Sequence, residues 1–312
     1  MKIMKNRIVQ TDPNRKDVLL PEIKTNLPQV PVIQKPPTQT SGRGDYIATV
    51  VLEAEYDDRY DNQIRLGILE SVVSSLVSHH LNSGIIIFPA GMFFTNLNPP
   101  SSIYPQLQVA LSNYLAAMQG NIIVCFGIDG SVDPEGYARD QIAVAADRTG
   151  IISLGKKFYP QKTERGHVNL ASGFNVPEDG KSRIFRFREN LYYLAMCYDS
   201  FGIKNQDIKN PGVQGIIELA HCFYPKDKGP SGDPYFARHG FAGAARQWDC
   251  PAFGTGIFFR REVPERWPTG VIWNQGEIST NEWTYEMNPL KPEKVIRMNV
   301  TDGAAGVRLF RA

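Results

Sequence analysis

The chain has little of what would mark a specialised class. Its 312 residues hold 4 cysteines, 4 tryptophans and 5 histidines, and 34 basic against 32 acidic residues leave a formal net charge of +2. The cysteines (Cys125, Cys197, Cys222, Cys250) stand far apart with no paired spacing. That excludes a disulfide framework and a zinc-finger pattern, and a reduced, cytoplasmic setting is expected. With the basic residues spread along the chain, there is no nucleic-acid footprint. No run approaches the ~18 apolar residues that a membrane-spanning helix needs. The basic start "MKIMKNRIVQTDPNRKD" has no apolar stretch behind it and does not read as a secretory signal. No internal repeat is strong enough to use. What is present, 42% hydrophobic and 21% charged residues, suits a soluble globular domain with a sizeable core.

Residues 1–44 differ from the rest. Six prolines (Pro13, Pro21, Pro28, Pro31, Pro36, Pro37) and little apolar periodicity predict an extended arm. Residues 45–312 read as one domain. "YIATVVLEA" is a β-branched strand, and Ile64, Ile68, Leu69, Val72, Leu76 and His80 follow at the spacing of one helix face. Then come the strand "GIIIFPAG", a helix carrying Leu107, Leu111, Leu115 and Met118, and the strand "NIIVCFG". "QIAVAAD" and "IISLG" form a hairpin around Arg148-Thr149-Gly150, with Gly150 suited to a positive φ. "SRIFRFRENLYYLAMC" is a second hairpin, and further strands follow to the C-terminus. Strands alternating with helices, then hairpins, predict an α/β layered domain with a mixed sheet. Helices are few for the strands, as two packed sheets with helices only outside would require.

Three short segments carry chemistry. In "LYYLAMCYDS" a thiol, Cys197, ends a buried strand where the chain turns, a sound place for a nucleophile, since the backbone N–H groups after the turn can face a developing oxyanion. Cys125, inside an apolar strand, reads as core. In "GKKFYPQKTERGHV", Lys157 and Glu164 lie seven residues apart across a Pro-bearing loop and can converge on one pocket. Lys156 is the rival lysine, but consecutive residues of an extended chain face opposite ways. The third segment, "IIIFPAGM", places Ala90, which has no chemistry, at a strand end. His221-Cys222 reads as structural, because strand neighbours point to opposite faces. His79-His80 also reads as structural, with no carboxylate or Cys at ligand spacing.

Taken in order, these segments resemble the nitrilase (carbon–nitrogen hydrolase) superfamily. The resemblance runs from about Tyr46 to about Phe259. It rests on "IIIFPAG" against a strand ending Phe-Pro-Glu, on Lys157, Pro160, Glu164 and Arg165 against a Lys-x-x-Pro-x-x-x-Glu-Arg run, and on Cys197-Tyr198-Asp199 against Cys-Tyr-Asp. It implies an α-β-β-α four-layer sandwich and a hydrolase of non-peptide C–N bonds, with a small-molecule amide or nitrile as substrate. Cys197 would attack and form a thioester or thioimidate. Lys157 and the Tyr198 backbone amide would hold the developing negative charge, and Glu164 would orient the lysine. No metal or organic cofactor is implied, and a homo-oligomer is expected from the family.

The family's general base is the Glu that Ala90 replaces, and general-base catalysis is worth ~10²–10⁴-fold. Three accounts stay open. Another carboxylate serves, with Glu164 the leading candidate and Asp129 a weaker one. Alternatively, the chain is a catalytically impaired relative whose pocket binds a ligand or supports assembly, or the Ala was introduced deliberately. Aromatic residues in later loops (Tyr224, Phe236, Trp283, Tyr285) line a pocket or belong to core or interface.

Overall fold

The computed structural model describes residues 44–55, 61–97, 100–116, 121–130, 139–225, 232–301 and 303–312. The expected arm therefore lies outside the described residues except for Gly44, and so does Met118.

The first half of the domain comprises β1 (Asp45–Ala54), α1 (Asn62–Ser78), β2 (Ser83–Ile87), β3 (Phe93–Thr95), α2 (Tyr104–Ala116), β4 (Ile122–Gly130), β5 (Arg139–Asp147) and β6 (Gly150–Lys156). After the short β7 (Val168–Asn169) come β8 (Ile184–Phe187), β9 (Asn190–Met196), α3 (Asp199–Asn205), β10 (Gly215–Phe223), α4 (Gly232–Phe236), α5 (Ala242–Trp248) and β11 (Ala252–Phe259). The chain closes with β12 (Gly270–Val271), β13 (Lys294–Val300) and β14 (Gly303–Arg311).

One hydrogen-bonded path runs β6-β5-β4-β2-β1-β11-β10-β9-β8. It forks at β1. One edge of β1 pairs with β14 from Tyr46 to Ala54, while its other edge pairs with β2 over Asp45–Thr49 and then with β11 over Val51–Ala54. Beyond the fork the two halves stack face to face. Residues of β2, β4 and β5 (Ile85, Ile87, Cys125, Ala145) share one core with residues of β9, β10 and β11 (Leu194, Met196, Leu219, Phe253). A second core joins the other faces of β1, β2 and β4 to α1 and α2, and a third joins β9 and β10 to α3 and α5. The layers are therefore helix, sheet, sheet, helix.

The two-residue period of a strand produces this layering. In β4, Ile123 and Cys125 face the opposite sheet, while Ile122, Val124 and Phe126 face the helices. In β9, Tyr192, Leu194 and Met196 face inward, while Tyr193, Ala195 and then Cys197 face the helix side. Runs apolar on both sides, such as "IIIF" and "IIVCF", are what strands covered on both faces require.

Asp61 caps α1 by accepting from the N–H groups of Gln63 and Ile64, at 3.0 and 3.2 Å. At the other end the helix stops at Ser78, and His80 takes a left-handed φ of 60° and is exposed. The expectation that His80 continues the core face is therefore corrected: the periodic pattern runs two residues past the helix, and His80 reverses the chain instead. Gly150 turns the β5–β6 hairpin with a φ of 140°. Among the described residues no helix is long and apolar enough to cross a membrane.

Candidate active site

The chemistry-bearing residues collect where several strands end. β9 delivers Cys197 at the turn into α3. Its N–H extends the ladder to the Leu219 carbonyl at 2.8 Å, yet its φ is 53°, a conformation that costs a non-glycine residue about 1–3 kcal/mol. The turn is tied down by Asp199. Its Oδ1 accepts from the N–H groups of Phe158 and Tyr159 at 2.9 and 3.0 Å, and its Oδ2 accepts from Met196 N at 3.1 Å and from Arg183 at 3.0 Å. Since Phe158 and Tyr159 directly follow Lys157, one buried carboxylate fixes the thiol's turn to the lysine's strand end. Cys197 retains 7% exposure and borders a cavity of about 440 Å³, which Tyr198, Gln141, Glu164 and Arg139 also line.

Lys157 follows β6. Its backbone is held on both sides, donating to Gln141 O at 3.0 Å and accepting from Ala171 N at 2.8 Å. The side chain is fully buried, and its Nζ donates to both oxygens of Glu164, at 2.7 and 2.6 Å, and to Gln141 Oε1 at 2.9 Å. Lys156 points the other way and pairs with Asp140 at 2.8 Å. Burial disfavours the Lys157 ammonium, but negative charge on Cys197 and then Glu164 outweighs it and holds the pKa above its ordinary value. Glu164 mirrors this: burial would raise it, but Lys157 and the Gln161 N–H hold it below the usual carboxylate range.

Ala90, after β2, is fully buried; its N–H donates to the Ala220 carbonyl at 3.0 Å, which ties the strand end to β10 across the crevice. Gly127 has to be glycine here: a Cβ on it would lie 2.6 Å from Ala90 Cα. The next residue, Gly91, adopts a φ of 62°, and a Cβ there would come within 3.3 Å of His221 Cδ2 and 3.4 Å of Asp129 Oδ2. The space beside Gly91, one residue after Ala90, is thus bordered by an imidazole and a carboxylate. His221 Nε2 lies 3.0 Å from Asp129 Oδ1 and 3.2 Å from Gln141 Nε2. Burial disfavours the charged ring, but Asp129 and then Cys197 raise its pKa to about 9. Burial would raise Asp129, yet His221, Arg139 and Lys157 hold it below its ordinary value.

The structure therefore brings Cys197, Tyr198 and Glu164 to one crevice, with Lys157 buried behind Glu164, while Ala90 packs in the core between the sheets. His221 does not pair with its neighbour Cys222: it lines the cavity, its partners come from other strands, and β10 has a register irregularity between Leu219 and Cys222. Glu164, at the cavity as expected, has both oxygens on the Lys157 ammonium. Of the loop aromatics, Tyr224 and Phe236 line the cavity, Trp283 is core, and Tyr285 borders a separate cavity of about 520 Å³.

Glu218 lies on the same strand, β10, as His221. It is fully buried, and neither carboxyl oxygen has a hydrogen-bond partner among the described residues. Burial, then negative charge on Cys197 and Asp199, pushes its pKa well above the ordinary value, against the smaller pull of Ser200 and Lys157. Among the described residues no group of three His, Cys, Asp or Glu is placed to hold a metal ion.

No family model and no curated protein matches the chain. The chain is similar in structure to nitrilase-superfamily proteins. A carbon–nitrogen hydrolase from Helicobacter pylori G27 aligns at 10% identity and a TM-score of 0.49, over 68% of this chain and 73% of that one. A nitrilase-superfamily amidase from Nesterenkonia AN1 aligns at 15% identity and a TM-score of 0.47, over 70% of this chain and 79% of that one. A glutamine-dependent NAD(+) synthetase from Cytophaga hutchinsonii aligns at 8% identity and a TM-score of 0.46, over 68% of this chain and 36% of that one.

Proposed function

We propose that this protein hydrolyses a non-peptide C–N bond, in an amide or nitrile, through Cys197. The observation that carries the reading is a crevice lined by a thiol on a left-handed strand-to-helix turn and by Glu164, whose carboxylate clamps a fully buried ammonium. Cys197 attacks the electrophilic carbon and forms a thioester or thioimidate. The Lys157 ammonium and the Tyr198 N–H take the negative charge that develops on oxygen or nitrogen. Glu164 keeps Lys157 charged and aimed, and water completes the reaction. The order of events follows the motif resemblance; the geometry supports it by grouping the same residues. An amine or alcohol in place of water would make the enzyme an acyl transferase, which product analysis separates.

Ala90 favours a second reading, a pocket that binds a ligand or supports assembly without turnover. Limiting alkylation with peptide mass mapping discriminates. Cys125 and Cys250 have pKa values raised by burial, the latter to about 12, so Cys197 should be labelled before either. First labelling at Cys250 or Cys222 would count against the catalytic reading, as would a Cys197→Ser variant that keeps the biological activity.

A further inference from the structure

We propose that His221, held by Asp129, is the general base and acid for Cys197, in place of the carboxylate that Ala90 cannot supply. The inference rests on the reading of Cys197 as a nucleophile and adds the group that moves its proton.

Elimination and geometry both lead there. Glu164 has both oxygens on the Lys157 ammonium, and Oε2 also accepts from Gln161 N at 2.8 Å. Glu218 lies in the packed interior, outside the residues lining the cavity. Lys157 is fully buried between Glu164 and Gln141. His221 lines the cavity together with Cys197, Asp129 and Gln141, and its side chain keeps 18% exposure. Nε2 has Asp129 Oδ1 at 3.0 Å and Gln141 Nε2 at 3.2 Å; the carboxylate can only accept, which assigns the Nε2 proton to it. Nδ1 has no hydrogen-bond partner among the described residues, and Cys197 lines the same cavity, so the proposed transfer has the thiol turn toward Nδ1. The charged groups around the imidazole are Asp129 of β4, Arg139 of β5, Cys197 after β9, and Lys157 and Glu164 after β6.

The proton balance closes without an outside reagent. With the ring pKa raised to about 9, the thiol proton rests on Nδ1 at neutral pH; as the sulfur forms the S–C bond, the carbonyl electron pair moves to oxygen. When the tetrahedral species collapses, the C–N bond breaks and Nδ1–H protonates the departing amine. Water then attacks the thioester and gives Nδ1 a proton. The C–S bond breaks, and that proton stays on Nδ1 beside the released sulfur. The sum is amide plus water to acid plus amine.

The test is the rate of Cys197 alkylation by iodoacetamide between pH 5 and 10, mapped by mass spectrometry, in the full chain and in His221→Gln and Asp129→Asn. Thermal unfolding checks that each variant is folded. Gln can still donate to Asp129 but cannot carry the proton. His221→Gln should slow labelling at neutral pH by about 10²-fold, the low end of general-base contributions, and the deficit should shrink as pH rises. Asp129 is a positioning residue, so Asp129→Asn should shift the pH profile to lower pH. Profiles that superimpose on the parent's would overturn the proposal while leaving the nucleophile reading standing. A parent in which Cys197 reacts no faster than Cys222 or Cys250 would overturn both. If His221→Gln does not fold, imidazole titration by NMR decides: Cys197→Ser should lower the His221 pKa, and an unchanged value refutes the contact.

Discussion

Replacing Asp199 by Asn isolates the device that couples the fold to the crevice. The Arg183–Asp199 pair is almost dry, with side-chain exposures of 1% and 0% at 3.0 Å. Asn keeps the shape, and its oxygen can still accept from Phe158 and Tyr159. Its NH₂, however, faces Arg183 and the Met196 N–H, donor against donor. Arg183 then keeps only the Tyr193 hydroxyl, at 2.8 Å, and the Lys156 carbonyl, and its charge stays buried. Removing one partner of a buried pair costs about 3–5 kcal/mol. Against a total stability of about 5–15 kcal/mol, that is a large fraction of the fold. Urea unfolding followed by fluorescence of the buried Trp248, Trp267 and Trp283 measures it. The reasoning also predicts that Arg183→Met in the Asp199→Asn background recovers much of the loss, since no unpaired charge remains. A loss below about 1 kcal/mol, or a double variant no more stable than Asp199→Asn, refutes the argument.

Glu218→Gln should stabilise the protein increasingly above pH 4.5. The folded state holds this carboxyl protonated, so its contribution is intact below the ordinary value of 4.5 and is lost as pH rises toward the folded value. Urea midpoints at pH 4 and pH 7 that shift equally would contradict this. His221 carries the same sign in another window. Its folded pKa of about 9 lies above the ordinary 6.5, so stability should fall between those values, and His221→Gln should flatten the slope; a parallel slope in chemical denaturation refutes it. Gly127→Ala should cost about 1–3 kcal/mol through overpacking, because its Cβ would meet Ala90 Cα at 2.6 Å and Gly91 N at 2.9 Å. An unchanged melting temperature would show that the strand end yields freely.

The layered fold was readable because its signal is local. A segment such as "LYYLAMC" needs only its two-residue period and its end to place Cys197 beyond the strand, and the same rule sends Lys156 outward and Lys157 inward. His221 was not readable, because what defines it is a carboxylate 92 positions away on β4 and a register irregularity in its own strand. The structural job of Asp199 was hidden for the same reason: it serves backbone amides about forty residues upstream. Glu218 left a usable trace. One acid inside "IIELA", a strand apolar on both faces, is expensive to bury, and a charged group in such a run marks either a pairing or a functional neighbour.

The charges also explain why the crevice can lack a carboxylate at position 90. Each acid that lines it already holds a cation, Glu164 on Lys157 and Asp129 on His221, with Cys197 acting on both cations. An acid so engaged has its pKa driven down and is a poor proton acceptor. The proton traffic must then fall to one of the two cations. Lys157 is buried and doubly bonded to Glu164, and its raised pKa keeps it charged. The His221 ring is raised too, to about 9, but its Nδ1 is unpartnered whereas the three Lys157 donors are all taken, so the imidazole is the cation able to pass its proton on. Ala90 itself packs fully buried in the apolar core between the sheets, one residue before the Gly91 that meets the His–Asp pair, so a carboxylate placed there would have to be desolvated among apolar neighbours, and a small uncharged side chain is the one that fits.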